Sequence, residues 1–199
     1  MPRYSQKQKA ALDALMRDDV YRHALKIIES DGLQGLTVDA IAKAIGVSRG
    51  TLYNYFDDRD DIVDFVEDRT FTPLLEAIDE IADGGLDPTA KMEAIATAVF
   101  AGVHENFALV MALSPEKHRR HGRDCKQEGH RRGQAAIQRV VEEGMKQGVF
   151  RDLPLELTAE VFLSSIAGMI DHMARRGEFR RPEQIVPTFM DILLRGLKR

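Results

Sequence analysis

The chain has 199 residues, enough for a small helical domain and a larger helical body. Its hydrophobic content of 44% can fill a packed core and excludes an intrinsically disordered regulator, and its net charge of −4 excludes a broadly basic protein. No run approaches the roughly 20 apolar residues of a membrane span, the polar start predicts no export signal, and the single cysteine excludes an internal disulfide framework. We therefore expect a cytoplasmic protein with no membrane partner.

The first segment divides into an arm and a helix. Residues 1–15 are polar and basic, and we expect them to form an N-terminal arm. A helix follows and continues to about Ser30, because Val20, Ala24 and Ile28 recur at helical spacing. Gly32 is expected to end this helix.

Residues 37–56 predict two short helices joined by a tight turn. Thr37 is a good N-cap for the first helix, whose apolar face carries Ile41. Gly46 supplies the left-handed residue that the turn needs, and Ser48 caps the second helix. Leu52 and Phe56 are the residues of the second helix that face the core.

The other face of the second helix carries hydrogen-bonding side chains and one glycine, which permits close approach. These residues are Ser48, Arg49, Gly50, Thr51, Tyr53, Asn54 and Tyr55. Arginine and asparagine suit the edges of bases, and tyrosine hydroxyls suit phosphates. A short helix with such groups outward, braced by an apolar partner helix, is typical of a helix-turn-helix that reads the major groove of DNA.

At these residues the chain resembles the TetR (tetracycline-repressor-like) family of bacterial transcription regulators. The matching residues are Leu36-Thr37-Val38, Ile41-Ala42, Gly46-Val47-Ser48, Leu52-Tyr53-Asn54-Tyr55-Phe56 and Arg59. The resemblance implies that Thr37 and Arg59 contact phosphates whatever the base sequence. The expected DNA-contacting set is Thr37, Val38, Ser48, Arg49, Gly50, Thr51, Tyr53, Asn54, Tyr55 and Arg59.

Charge is unevenly distributed along the chain. Residues 1–56 hold eight basic and six acidic residues, whereas residues 57–83 hold two basic and eleven acidic ones. Four aspartates surround Arg59, and they fit either ordinary capping of a helix N-terminus or suppression of non-specific DNA binding. DNA binding is therefore expected to rest on a few placed contacts, with modest affinity for random DNA.

The remainder reads as a helical body. A long helix is expected from Asp57 to about Asp83, kinked at Pro73. Further helices are expected over 88–113, over 133–147 after a basic solvated stretch, from Pro154 and from Pro182. The last helix is apolar on most sides, and a second copy of the chain is its simplest cover. Homodimerisation through the last two helices is therefore predicted, with a palindromic operator as the DNA partner.

An effector pocket is expected inside the body, for a small and mainly apolar ligand. His104 lies on an apolar helix and is read either as a buried, hydrogen-bonded histidine or as the polar anchor of that pocket. The expected ligand-binding set is Phe100, His104, Phe107, Met111, Ile137, Val141, Phe162, Ser165 and Met169.

One cluster suggests a metal, and little suggests catalysis. His118, His121, Cys125 and His130 are ligand types that suit zinc, but their spacing matches no known motif and arginines surround them. They are read either as a metal site or as a solvated basic face. No Gly-rich phosphate loop or nucleophile elbow occurs, so we expect neither an enzyme nor a cofactor.

The sequence therefore predicts an all-α protein with three parts. These are the arm (1–15), a three-helix DNA-binding domain with the helix-turn-helix (16–57) and a six-helix ligand-binding and dimerisation body (58–199). As the resemblance implies, it is expected to act as a homodimeric regulator, a repressor released by its ligand. The alternatives are an architectural DNA-binding protein without an effector and a helical enzyme that carries a DNA-binding head.

Overall fold

A computed structural model describes residues 6–113, 122–178 and 180–197, without the side chains of 122–128. These residues form nine α-helices, which confirms the all-α prediction. The helices are α1 (Gln6–Gly35), α2 (Val38–Ile45), α3 (Arg49–Leu52), α4 (Arg59–Asp83), α5 (Pro88–Glu105), α6 (Phe107–Ala112), α7 (Gly122–Lys146), α8 (Leu155–Arg176) and α9 (Pro182–Leu197).

The first helix begins earlier than the sequence predicted. Residues 6–15, assigned above to an N-terminal arm, belong to α1, because they are glutamine, lysine, alanine, leucine and aspartate with no helix breaker among them. Gly32, which was expected to end the helix, interrupts its backbone with φ of 66° and ψ of −173°. The chain nevertheless continues helically to Gly35, and this last turn buries Leu33.

The described residues form two compact units, and α4 contributes to both. The N-terminal unit contains residues up to Arg69 together with 111–113 and Gly122, and the body contains residues 70–110, 123–178 and 180–197. The N-terminal unit extends beyond the predicted boundary at residue 57, because Ile62, Val63 and Val66 are buried in α4. The division in α4 falls close to Pro73, whose missing N–H leaves the carbonyl of Arg69 without its usual helical donor.

Two helices predicted for the body differ from the sequence prediction, and two begin where it placed them. Residues 88–113 form two helices rather than one, because Asn106 leaves the helical region and its Nδ2 donates to the carbonyl of Gly102 at 2.8 Å. The helix α7 begins at Gly122 instead of Gly133. The helices α8 and α9 begin next to Pro154 and Pro182, as predicted.

The core of the body is built around packed aromatic rings. The ring of Phe189 lies edge-on to those of Phe100 and Phe162, at centroid distances of 5.5 and 5.8 Å. Such pairs add specific geometry to the burial of apolar area. In the same unit, the nearly buried Lys91 donates to Glu143 Oε2 at 2.6 Å, which compensates the cost of removing its charge from water.

Charged side chains join α4 to α7. Asp79 accepts from Arg132 at 2.7 Å and from Arg139 at 2.8 Å, and Arg139 also reaches Asp83. The hydrogen bond from the Arg132 guanidinium, followed by that from Arg139, lowers the pKa of Asp79 below its ordinary value. These ion pairs fix the C-terminal half of α4 within the body.

No helix among the described residues is both long and apolar enough to cross a membrane.

The packing of α7 against Phe150 yields a test of the fold. A methyl group at Gly144 would overlap the Phe150 ring, whereas one at Gly133 of the same helix would meet Leu163 at an ordinary 3.4 Å. We expect Gly144→Ala to lower the free energy of unfolding by about 1–3 kcal/mol despite the better helix propensity of alanine. Gly133→Ala, measured alongside by urea denaturation, should not destabilise. Equal stability of the two variants would contradict this packing.

Candidate nucleic-acid interface

Hydroxyl side chains cap both short helices of the N-terminal unit. The Oγ1 of Thr37 accepts from the Ala40 N–H at 3.0 Å, and the Oγ of Ser48 accepts from the Thr51 N–H at 3.1 Å. Between the helices Gly46 adopts φ of 75°, and its N–H donates to the carbonyl of Ala42. These are the two caps and the left-handed turn that the sequence predicted, and together they define how the chain passes from α2 into α3.

The helix α3 is short, but its hydrogen bonding continues past Leu52. The Tyr53 N–H donates to the Arg49 carbonyl, and the Phe56 N–H donates to the Leu52 carbonyl at 3.0 Å. Leu52 and Phe56 are buried as predicted. We call residues 49–56 the recognition segment.

The outward side of the recognition segment offers polar side chains to solvent. Arg49, Gly50, Tyr53 and Asn54 are exposed, and Thr51 is half-buried with its hydroxyl 2.9 Å from the Ser48 hydroxyl. The hydroxyls of Ser48 and Thr51 are therefore partly committed to the cap. The arrangement leaves the larger side chains available for a partner.

Arg49 is oriented by its neighbours. Its Nε lies 2.8 Å from Asp39 Oδ1 of α2, and a hydrogen bond with Tyr53, followed by the charge of Asp39, raises the pKa of Arg49. With Nε occupied by Asp39, the terminal nitrogens are the donors suited to the O6 and N7 atoms of a guanine.

Tyr55 and Arg59, two of the expected phosphate contacts, make other contacts here. The Tyr55 hydroxyl donates to Asp13 Oδ1 of α1 at 3.0 Å, and this hydrogen bond raises the pKa of Tyr55. The Arg59 guanidinium donates to the carbonyls of Leu36 at 2.7 Å and Leu33 at 2.6 Å. Arg59 thus supports the α1–α2 junction. The sequence carries no signal for these contacts, whose partners lie 42, 23 and 26 residues away.

Thr37 and Val38 stand at the start of α2. Thr37 is exposed, and its oxygen is engaged as the cap acceptor while its hydroxyl hydrogen can still donate. Val38 is half-buried. Arg17 was not among the predicted site residues, and its guanidinium lies over the rings of Phe56 and Phe65 at 5.2 and 5.5 Å.

The expected effector residues are divided between a packed core and the surface. Phe100, Ile137 and Val141 are at most 1% exposed, so protein atoms surround their side chains. Phe162 is 2% exposed and borders a groove of about 300 Å³ between α8 and α9. Phe107 is half-buried in α6, and the half-buried Met111 belongs to the N-terminal unit. A pocket at Phe100, Ile137 and Val141 requires the core to open.

His104 is exposed, so the reading of it as a buried histidine was wrong, whereas its role as the anchor of a pocket stays a prediction. His104 lies in the last turn of α5, where the neighbouring Glu105 is exposed as well. Ser165, half-buried, donates from its hydroxyl to the Val161 carbonyl at 2.6 Å. Met169, 36% exposed, lines an apolar groove of about 310 Å³ between α8 and α9.

The suspected metal cluster is not assembled in the part that the structure describes. His130 Nε2 lies 3.1 Å from Glu160 Oε2 of α8, and hydrogen bonds from Ser164 and then His130 lower the pKa of Glu160. His118, His121 and the Cys125 side chain lie outside the described residues. Among the described residues, no three or more His, Cys, Asp or Glu residues are grouped as metal ligands.

Comparisons with known proteins match both units of the chain. A sequence model described as bacterial regulatory proteins of the tetR family matches residues 20–66. A second, described as the tetracyclin repressor-like C-terminal domain, matches residues 85–197.

Individual relatives match over most of their length. The HTH-type transcriptional repressor KstR2 of Rhodococcus jostii is 28% identical over 91% of this chain and 90% of its own. The nucleoid occlusion factor SlmA of a Marinomonas strain is 25% identical, over 91% and 94%. The solved structure of Bacillus subtilis FadR in complex with stearoyl-CoA, 18% identical, has a TM-score of 0.77 over 90% of this chain and 98% of its own. Because the C-terminal match alone covers more than half of the residues, and the N-terminal match contains both caps and the glycine turn, the chain belongs to the TetR family of DNA-binding transcription regulators.

Proposed function

We propose that this protein is a cytoplasmic, homodimeric transcriptional repressor that binds a palindromic operator and is released by a small, mainly apolar ligand. The observation that carries the proposal is the recognition segment. Two hydroxyl caps and one left-handed glycine hold it in place, with Arg49, Tyr53 and Asn54 exposed. The repressor role is also supported by the KstR2 relative, which is named as a repressor.

The operator contacts fall into two classes. Arg49 and Asn54 carry donors that match base edges, and they are proposed to provide sequence selectivity. Thr37 is proposed as a phosphate donor at the start of α2. Tyr55 and Arg59 reach phosphates only if DNA displaces their present partners, so we expect them to contribute less than Thr37.

The dimer is proposed to form through α8 and α9. Large apolar side chains are exposed on both helices, including Leu157 at 60%, Val161 at 50% and Ile192 at 67%. Leaving such residues in water is unfavourable, and a two-fold pairing of α8 and α9 would bury them in a four-helix bundle. The resulting symmetry would place two recognition segments on an inverted repeat.

The ligand is proposed to be apolar because the body presents apolar residues both in its core and in the groove beside Met169. The FadR structure contains stearoyl-CoA, a long alkyl chain on a polar head. Since α4 contributes residues to both units, ligand binding in the body and DNA binding by the N-terminal unit share one helix. Coupling between the two is reciprocal, and typically amounts to about 1–3 kcal/mol.

A second candidate is a DNA-binding protein without an effector. The tight packing around Phe100, Ile137 and Val141 favours it, and SlmA, a relative of similar coverage, is named as a nucleoid occlusion factor. Titrating stearoyl-CoA and similar amphiphiles with and without operator DNA separates the candidates. Reciprocal weakening favours a ligand-released repressor, and DNA affinity that no such compound changes favours the second candidate.

Arg49→Ala tests the recognition segment. We expect it to weaken operator binding by about 1–3 kcal/mol and to relax selectivity at one base position, because a bidentate base contact is lost. Lys26→Ala, an exposed charge removed from α1, is the matched control and should leave the base preference unchanged. Quantitative gel-shift or fluorescence anisotropy measurements on an operator and its single-base variants provide the readout. An unchanged base preference for Arg49→Ala would count against the assignment.

Ile192→Glu tests the dimer. A charge at this exposed apolar position should give monomers that fold normally but lose operator affinity, as ultracentrifugation would measure. Leu86→Glu is the control, because Leu86 is 50% exposed but lies outside α8 and α9. Leu197 of α9 is unsuitable for the same substitution, because its side chain is buried in the core of the body and a charge there would disturb folding. A variant that remains dimeric at micromolar concentration would contradict this interface.

A further inference from the structure

A polar hollow of about 510 Å³ lies beside the recognition segment. Three of its lining residues, Lys9, Asp13 and Arg17, come from successive turns of α1, and three, Thr51, Asn54 and Tyr55, come from the recognition segment. Three of the residues expected to contact DNA, Thr51, Asn54 and Tyr55, therefore border the same space as charged residues of α1. None of these α1 residues was among the predicted site residues.

The charges in the hollow are mixed. Lys9 and Arg17 bring two positive charges, and the Asp13 carboxylate brings one negative charge to the same lining. Arg17 is positioned by the rings of Phe56 and Phe65, and Asp13 by the hydrogen bond that it accepts from Tyr55. The carboxylate is therefore held in the hollow by a specific contact.

We propose that Asp13 limits the affinity of this unit for DNA, because its carboxylate in the hollow weakens binding to every DNA backbone, so that stable binding requires the base contacts of the recognition segment. The proposal rests on DNA binding by this unit. A phosphate that approaches Lys9 and Arg17 meets a like charge at Asp13, and like charges a few ångströms apart repel. The same carboxylate accepts the hydrogen bond of the Tyr55 hydroxyl, which would otherwise be available to donate to a phosphate.

The consequence is a lower affinity for DNA of any sequence. Contacts to the backbone add affinity for all sequences equally, because phosphates carry no sequence information. Reducing them lowers the affinity for random DNA and for the operator by the same factor, so that only a site that also offers base contacts to Arg49 and Asn54 is bound stably. Asp13 thus acts through the electrostatics of the hollow, and no base contact by Asp13 itself is needed.

Asp13→Asn separates the charge from the hydrogen bond, because an asparagine oxygen can still accept from Tyr55. Glu29→Gln is the matched control. It removes the same charge from the exposed surface of α1, about 24 Å further along the helix and beyond the screening length at physiological salt. The affinity of wild type and both variants is measured for a random-sequence duplex and for a selected operator, over a range of salt concentrations.

We expect Asp13→Asn to bind the random duplex about three- to tenfold more tightly than wild type. The slope of log K against log salt concentration should become steeper by about 0.9, because one further phosphate is neutralised. Operator binding should tighten by a similar factor, while Glu29→Gln stays close to wild type for both duplexes. Tyr55→Phe, which keeps the carboxylate, should show no such gain for random DNA, and Lys9→Ala should flatten the salt slope by about 0.9.

The proposal would be overturned if Asp13→Asn and Glu29→Gln had the same DNA affinity and the same salt dependence of that affinity. If Asp13→Asn does not fold, Asp13→Ala replaces it. This variant loses both the charge and the hydrogen bond, so its comparison with Tyr55→Phe, which loses only the hydrogen bond, isolates the charge. Failure of wild-type protein to bind either duplex would instead contradict the proposed function. If wild type binds DNA and Asp13→Asn binds it with the same affinity, the role of Asp13 is contradicted and the proposed function is not.

Discussion

The passage of the chain from α2 into α3 depends on the left-handed backbone of Gly46. A Cβ added at Gly46 would meet no atom within 4 Å, so steric space does not require glycine at this position. The backbone conformation does require it, because residues with L side chains are strained at a φ of 75°. The caps at Thr37 and Ser48 satisfy N–H groups on either side of this turn. With backbone and caps fixed together, Leu52 and Phe56 are buried and Arg49, Tyr53 and Asn54 are left exposed. DNA binding therefore begins from an ordered recognition segment, which limits the entropy lost on association.

Around that turn, polar side chains of the N-terminal unit largely satisfy one another. Asp39 forms an ion pair with Arg49, and Asp13 accepts a hydrogen bond from Tyr55. Arg59 donates hydrogen bonds to two backbone carbonyls. A DNA site must match or replace these contacts, and a sequence that offers acceptors in the wrong places leaves polar groups unpaired. This arrangement explains how a chain with a net charge of −4 can discriminate between DNA sequences without a broad positive surface.

The features that sequence analysis predicted correctly are local ones. Thr37, Gly46, Ser48 and the prolines at the starts of α5, α8 and α9 act on their own backbone or on residues three or four positions away, so their spacing is sufficient to predict them. Contacts between distant segments leave no such pattern. The carbonyl partners of Arg59 and the hydroxyl partner of Asp13 follow from how α1 packs in the N-terminal unit, and neither was predicted.

Errors in the predicted body arose where one residue changed a helix boundary. Asn106 divides the helix that the pattern of apolar residues had continued to residue 113. His104, in the last turn before the break, is exposed. The apolar residues Phe100, Ile137 and Val141 were recognised as inward-facing, and they are. Periodicity alone does not distinguish the wall of a pocket from a filled core, because both require apolar residues on the same face.

Selection of DNA from a random pool by the purified wild-type protein would show whether two recognition segments read one operator. We expect enrichment of one inverted repeat, with half-sites about 34–36 Å apart or at a multiple of that spacing, since a two-fold dimer presents two recognition segments. Recovery of DNA without a shared sequence, or of a single unrepeated half-site, would contradict it.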